Sequence, residues 1–188
     1  MHDIYDYYLP QRDFKKFRKL YLDEKKEEWR TQLNKDIRIN IMHANRYWFF
    51  PFLRFFQWTW SDGYNPPAHK DVNLLLTEFQ GVCGLAFRSE EPKLVTSLPT
   101  PDWIHQKWLL LNQFHLSKRQ LSKTKAVKAV LSVPIFYSPS EGTSPTWKAI
   151  GVINLDTLTD DGSKFLEHNR QKLVDYFDQF GKMLACLR

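Results

Sequence analysis

Few side chains in this sequence could do chemistry on a bound molecule, and their spacing restricts which chemistry. Two are thiols, Cys83 and Cys186. Thiol redox chemistry needs a nucleophilic thiolate and a resolving thiol within reach of it. Cys83 sits in the apolar run Val82-Cys83-Gly84-Leu85-Ala86-Phe87, where a cysteine behaves as a small hydrophobe. Cys186 falls at the end of the last helical pattern, so the two thiols are not expected to meet. The six histidines, His2, His43, His69, His105, His115 and His168, show neither an i, i+4 pair nor Cys/His ligand spacing, so no metal site is expected. A P-loop, a dinucleotide fingerprint and a Ser-His-Asp order are all missing. No catalytic residue is nominated, and no cofactor is specified.

A second constellation is aromatic. Trp48, Phe49, Phe50, Phe55, Phe56, Trp58 and Trp60 are interleaved with Arg46 and Arg54, with Arg38 nearby. In composition this resembles a base-stacking platform. It lacks an RNA-recognition signature such as Lys/Arg-Gly-Phe-Gly-Phe-Val, and core plus pocket wall accounts for most of the rings. The formal charge is +6 and the pI about 9.2. The basic excess concentrates at Arg12, Lys15, Lys16, Arg18 and Lys19, and at Lys118, Arg119, Lys123, Lys125 and Lys128. A solvated helix face and a loop explain such runs. The alternative reading is a basic protein that binds nucleic acid or an acidic partner through residues 118–128.

The elements that must position these residues come next. The chain has 188 residues, enough for one sizeable core. Its 43% hydrophobic and 26% charged content is that of a globular domain, with aromatics high at 15%. Two cysteines make no disulfide scaffold, and a cytoplasmic setting is expected. The N-terminus lacks signal-peptide character. The run Tyr47 to Phe56 is too short to span a bilayer and carries Pro51 and Arg54, so no membrane span is expected. Residues 1–10 read as a tail and 11–188 as one domain.

Residues 11–35 have a helical pattern. Ile37, Ile39 and Ile41 alternate with Arg38, Asn40 and Met42, which predicts a half-buried strand. A second strand is expected at 52–60, then a turn-rich loop at 61–67. Residues 72–88 predict two short helices broken near Gln80-Gly81. Lys93 to Ser97 predicts a short strand, and one more short helix is expected before Lys125. Val127 to Tyr137 and Trp147 to Leu158 are apolar on both faces, which predicts a central antiparallel hairpin covered on each side. Pro134 then requires a bulge or a free strand edge. One terminal helix follows Asp160-Asp161, whose charge suits a helix start.

Three pieces occur in order. They are Gly81-Val82-Cys83-Gly84-Leu85-Ala86-Phe87 before Glu91-Pro92-Lys93-Leu94-Val95, then Val130-Leu131-Ser132-Val133-Pro134-Ile135, then Ile150-Gly151-Val152-Ile153-Asn154-Leu155. Together they resemble the GAF sensor-domain family over residues 11–187. The resemblance implies an α+β fold with a central antiparallel sheet of five or six strands. It places the N- and C-terminal helices on one face, and short helices and loops forming a pocket on the other. It implies a non-catalytic regulatory domain with a small-molecule pocket and a homodimer through the terminal helices, built on Phe14, Phe17, Leu20, Tyr21, Leu173, Tyr176, Phe177, Phe180 and Leu184. The expected pocket residues are Phe79, Cys83 and Phe87 from the helix, Trp103, Trp108 and His115 from the loop segment, and Val133 and Ile135 from the strand. The spaced Asn-Lys-Phe-Asp-Glu signature of the cyclic-nucleotide branch cannot be placed here, and Cys83 lacks the neighbouring His typical of bilin attachment. A thiol-dependent reductase of the GAF type stands as a third reading.

Overall fold

The computed structural model describes residues 23–25, 28–29, 33, 36–47, 50–62, 76–96, 114–124, 126–137 and 148–186. The expected tail at 1–10 and pocket residues Trp103 and Trp108 lie outside them, as do Phe14, Phe17, Leu20 and Tyr21. Six strands form one sheet: β1 (Ile37–Tyr47), β2 (Phe50–Asp62), β3 (Leu76–Thr77), β4 (Lys93–Val95), β5 (Ala129–Tyr137) and β6 (Lys148–Thr157). Their order is β3-β2-β1-β6-β5-β4, with every neighbouring pair antiparallel. The helices are α1 (Gly81–Ser89), α2 (Lys118–Thr124), α3 (Asp160–His168) and α4 (Arg170–Cys186). This is the α+β architecture expected, with six strands.

The alternating residues of β1, β5 and β6 sort into two faces. Ile37, Ile39, Ile41, Leu131, Val133, Ile135, Ile153 and Leu155 meet Leu166, Leu173, Phe177 and Phe180 of the terminal helices, and Trp29 of the N-terminal helical residues, in one core. Trp29 stands edge-on to Phe180 at 5.0 Å. Its indole N–H donates to the Tyr176 hydroxyl at 2.9 Å, and that hydroxyl donates to Glu28 at 2.9 Å. Burial first, and the Glu28 bond second, raise the Tyr176 pKa. N- and C-terminal helical segments therefore share one face.

The opposite face carries Met42, Val152 and Ala149 beneath α1. Here β1 departs from expectation. Arg38 and Asn40 do not face water; each is 2% exposed. They face Asp156 and Asn154 across the β1–β6 ladder, where Arg38 pairs in register with Asp156 and Asn40 with Asn154. Arg38 Nε donates to Asp156 Oδ1 at 2.9 Å and Nη2 to Oδ2 at 2.8 Å. Asn40 Nδ2 donates to Asp156 Oδ2 at 2.9 Å. Asn154 Nδ2 donates to Asn40 Oδ1 at 2.8 Å, and Ser132 Oγ donates to Asn154 Oδ1 at 2.5 Å. A buried polar group is tolerated when it has such partners.

Other expectations are refined. Residues 76–80 are β3 and a turn rather than a first short helix. The β1–β2 register slips where Trp60 pairs with Ile41 and Trp58 with Met42, leaving Thr59 as an extra residue. Pro134 pairs in register with Val152, while β4 stops pairing at Ser132, so among the described residues no strand pairs with Pro134 on that side. The terminal helix is two helices. Asn169 separates them, its backbone and side-chain N–H groups both donating to the Phe165 carbonyl, at 3.0 and 2.9 Å. Thr159 caps α3 by accepting from Gly162 N–H at 3.0 Å. Among the described residues no helix is long and apolar enough to cross a membrane.

Candidate functional site

The α1 face of the sheet is where a site can be built, and Gln80 fixes its geometry. Its side-chain oxygen accepts from Thr77 N–H at 3.1 Å and from Gln120 Nε2 at 3.0 Å, while its Nε2 donates to the His115 carbonyl at 3.1 Å. Gly81 N–H donates to the Phe114 carbonyl at 2.9 Å. One residue thus ties the β3–α1 turn to the segment entering α2. Gly84 lets the turn fold tightly back on the helix, since a Cβ there would lie 2.8 Å from the Glu78 carbonyl oxygen. The helix ends at Glu90, whose φ of 55° is left-handed, with Pro92 soon after.

At this end of α1 an open cleft of about 350 Å³ is lined by Arg54, Glu78, Phe87, Arg88, Glu90, Lys148 and Ala149. Four elements contribute: β2, the turn before α1, α1 with its cap, and the start of β6. Phe87 is the anchored wall, edge-on to Phe56 at 5.3 Å. The Arg54 guanidinium carbon lies 5.3 Å from the Phe87 ring centre, and that of Arg88 lies 5.0 Å from the Phe79 ring centre. Glu78 is clipped to β2: its N–H donates to the Arg54 carbonyl at 2.9 Å, and its carboxylate accepts from Arg54 N–H at 3.3 Å. Among the described residues, Arg54, Arg88 and Lys148 have no carboxylate within ion-pair distance.

The expected pocket residues divide. Cys83 and Phe87 share one buried cluster with Met42, Phe56, Leu76, Ala149 and Val152, and Phe87 also lines the cleft. Phe79 is 44% exposed and serves as the platform for Arg88. His115 is exposed with φ of 50°, and its contribution is the backbone carbonyl bound by Gln80. Val133 and Ile135 require correction: both face the terminal helices, because the strand's inward alternation is displaced by one residue from the expected phase. The side chains of Glu78, Arg88, Glu90 and Lys148 were not expected at a site, and Arg54 was noted only as an arginine within the aromatic run. An arginine at the centre of Phe52-Leu53-Arg54-Phe55-Phe56 was the available signal.

The Cys83 thiol donates to the Gln80 carbonyl at 3.4 Å, and burial pushes its pKa up to about 12. Such a thiol is inert at neutral pH. The helix α4, which ends at Cys186, packs on the other sheet face. Among the described residues no group of three or more His, Cys, Asp or Glu could hold a metal ion.

No family model matches this sequence, and no curated protein matches it. Solved structures do. The type II free methionine-R-sulfoxide reductase from Thermoplasma acidophilum superposes with a TM-score of 0.54 at 12% identity, covering 93% of this chain and 94% of that one. A hypothetical protein from S. aureus gives 0.47 at 13% identity, covering 73% and 92%. A far-red cyanobacteriochrome photoreceptor gives 0.43 at 12% identity, covering 90% and 93%. At these identities the likeness concerns the fold alone. With the six-stranded antiparallel sheet, the likeness to the first of these supports a GAF-like fold for this chain.

Proposed function

We propose that the chain is a regulatory sensor domain that reads a small molecule in the cleft between α1, β2 and β6, without catalysis by its cysteines. The cleft carries this reading. Its volume of about 350 Å³ falls at the lower end of small-molecule sites. An aromatic wall and charged side chains from four elements converge on it, so occupancy would be felt by two strands and a helix at once. The neighbour named as a reductase raises the competing thiol chemistry. Against that stands the desolvated Cys83, held as a neutral thiol in an apolar cluster.

A thermal-shift screen of the purified protein against small metabolites, including anionic, neutral and cationic compounds, tests the proposal. A ligand at 100 times its Kd stabilises by about 2.7 kcal/mol. For a domain of this size that raises the midpoint by roughly 5–10 °C. The expected result is a saturable shift whose amide NMR perturbations centre on Arg88 and Ala149. A screen without any shift refutes the sensor reading. Turnover of free methionine-R-sulfoxide that disappears in Cys83→Ser refutes the non-catalytic part.

A further inference from the structure

We propose that the ligand of this cleft is a small organic oxyanion, a carboxylate or phosphate monoester, gripped by Arg88, Lys148 and Arg54 with its short apolar body against Phe87 and Ala149. The inference rests on the small-molecule reading above and names the class of molecule. Its basis is how the cations are held. Arg54 is half-buried, and a half-buried arginine is ordinarily matched by a carboxylate that takes up its N–H donors, whereas Arg88 is exposed. Here the two guanidinium groups lie against aromatic rings instead, Arg54 at 5.3 Å from the centre of Phe87 and Arg88 at 5.0 Å from that of Phe79. A ring face attracts the charge but offers no lone pair, so it orients the guanidinium and leaves its fork of donors for another acceptor. Lys148, exposed at the start of β6, adds a third cation on the same cleft.

The charge count agrees. Among the described lining residues three cations face two carboxylates, Glu78 and Glu90, an excess of one positive charge. One of these carboxylates already accepts the Arg54 backbone N–H. A ligand of one or two negative charges neutralises the cleft or slightly exceeds it, while a cationic ligand would add to an unbalanced charge. Glu90, at the exposed end of α1, remains as an acceptor for a hydroxyl or amine at the far end of the ligand. Among the described lining residues the apolar surface is that of Phe87 and Ala149, which suits a short hydrocarbon body better than a fused ring system.

The test uses the full chain at fixed ionic strength and three four-carbon probes, succinate, succinamide and putrescine, with inorganic phosphate as a separate arm. Calorimetric titration should show saturable binding of succinate or phosphate, tighter than either uncharged or cationic probe. The stronger of the two anions identifies the oxyanion as carboxylate or phosphoryl. In Arg88→Gln/Lys148→Gln that binding should weaken by about tenfold or more. Both residues are exposed, and an unchanged far-ultraviolet circular dichroism spectrum and melting curve will show that the fold is retained. The charge-matched control Arg119→Gln/Lys123→Gln, on α2 and outside the cleft lining, should bind as the wild type does. Equal weakening in the control overturns the inference, because the basic surface as a whole would then be attracting anions. Succinamide or putrescine binding as tightly as succinate also overturns it. If neither anion binds while the metabolite screen still finds a neutral or cationic ligand, the oxyanion inference falls and the sensor reading stands. If the screen is silent as well, both fall.

Discussion

The Arg38–Asp156 pair offers the sharpest energetic test of the structure. Asp156→Leu leaves a guanidinium that is 2% exposed without the Asp156 carboxylate, and removes the acceptor of Asn40 Nδ2. Breaking a buried pair from one side typically costs about 3–5 kcal/mol. Arg38→Met should cost a similar amount by leaving the carboxylate, itself 3% exposed, with fewer donors. If each change cost about 3.5 kcal/mol, additivity would give about 7 for the pair. The double variant Arg38→Met/Asp156→Leu removes both charges, fills the space with apolar volume and takes away the Asp156 acceptor of the Asn40 amide. That should cost only about 2–3 kcal/mol, most of it the unsatisfied amide and imperfect packing. The expected coupling is therefore about 4 kcal/mol. Urea unfolding followed by circular dichroism measures all four proteins, with unchanged m-values required for the comparison. Should a single variant be too unstable to fold, recovery of a cooperative transition in the double variant reports the same coupling. Singles below about 1 kcal/mol, or a strictly additive double, would refute the reasoning, since the pair would then be reached by water.

Three further outcomes follow from other parts of the structure. Gly151→Ala would place a Cβ on the Met42 carbonyl oxygen and 3.3 Å from His43 Cα. Because backbone cannot rotate away, a loss of about 2–3 kcal/mol is expected, read as a fall of roughly 4–12 °C in melting temperature; an unchanged midpoint would contradict the β1–β6 register. Cys83 should resist alkylation at pH 8 in the native protein, as read by peptide mass mapping. Its pKa is raised when folded, so the unfolded chain ionises first and stability should fall as pH rises from about 9 toward 12; Cys83→Ala should flatten that decline, and its persistence would show that the thiol is not the cause. Phe180→Glu should unfold the chain rather than split a dimer, because Phe180 is 3% exposed in the core between α4 and the sheet. Sedimentation of a folded monomeric variant alongside a dimeric wild type would reverse that assignment.

Much of the sheet was legible because local pattern and tertiary role coincide in it. The two-sided apolar runs of β5 and β6 can only be central strands, and Pro134 is placed where β4 has ended. The helix α1 follows from its glycines and apolar run and from the Glu90-Glu91-Pro92 stop. What failed was phase and partnership. Alternation says that Val133 and Pro134 face opposite ways, but not which of them faces α1; only the packing of α4 against Val133 and Ile135 decides. Arg38 and Asn40 read as a solvent face because their partner Asp156 lies far along the sequence. The break at Asn169 depends on a side chain returning to the Phe165 carbonyl, an option that asparagine has in many unbroken helices too. The cleft was hidden for a different reason. Arg54, Glu78, Arg88 and Lys148 come from separate elements, and no short-range spacing connects them. Of the residues on which the expected dimer was built, Leu173, Phe177 and Phe180 are buried within the chain.

The position of β1 at the centre of the sheet has a consequence for biosynthesis. Its neighbour β2 follows immediately, but its other neighbour is β6, and the Arg38–Asp156 bond joins residues 118 positions apart. At translation rates of ~5–20 residues per second, roughly 6–24 s pass between the synthesis of Arg38 and that of Asp156. During that interval the β1–β2 hairpin offers an open edge beside an unusually aromatic strand, and the Arg38 guanidinium has yet to meet its carboxylate. Such an edge is a template for pairing with another nascent chain. A high contact order also slows closure once the whole chain is available. Polysomes carrying many copies, or a fragment truncated before β6, should therefore depend on chaperones that shield strand edges far more than the finished protein does.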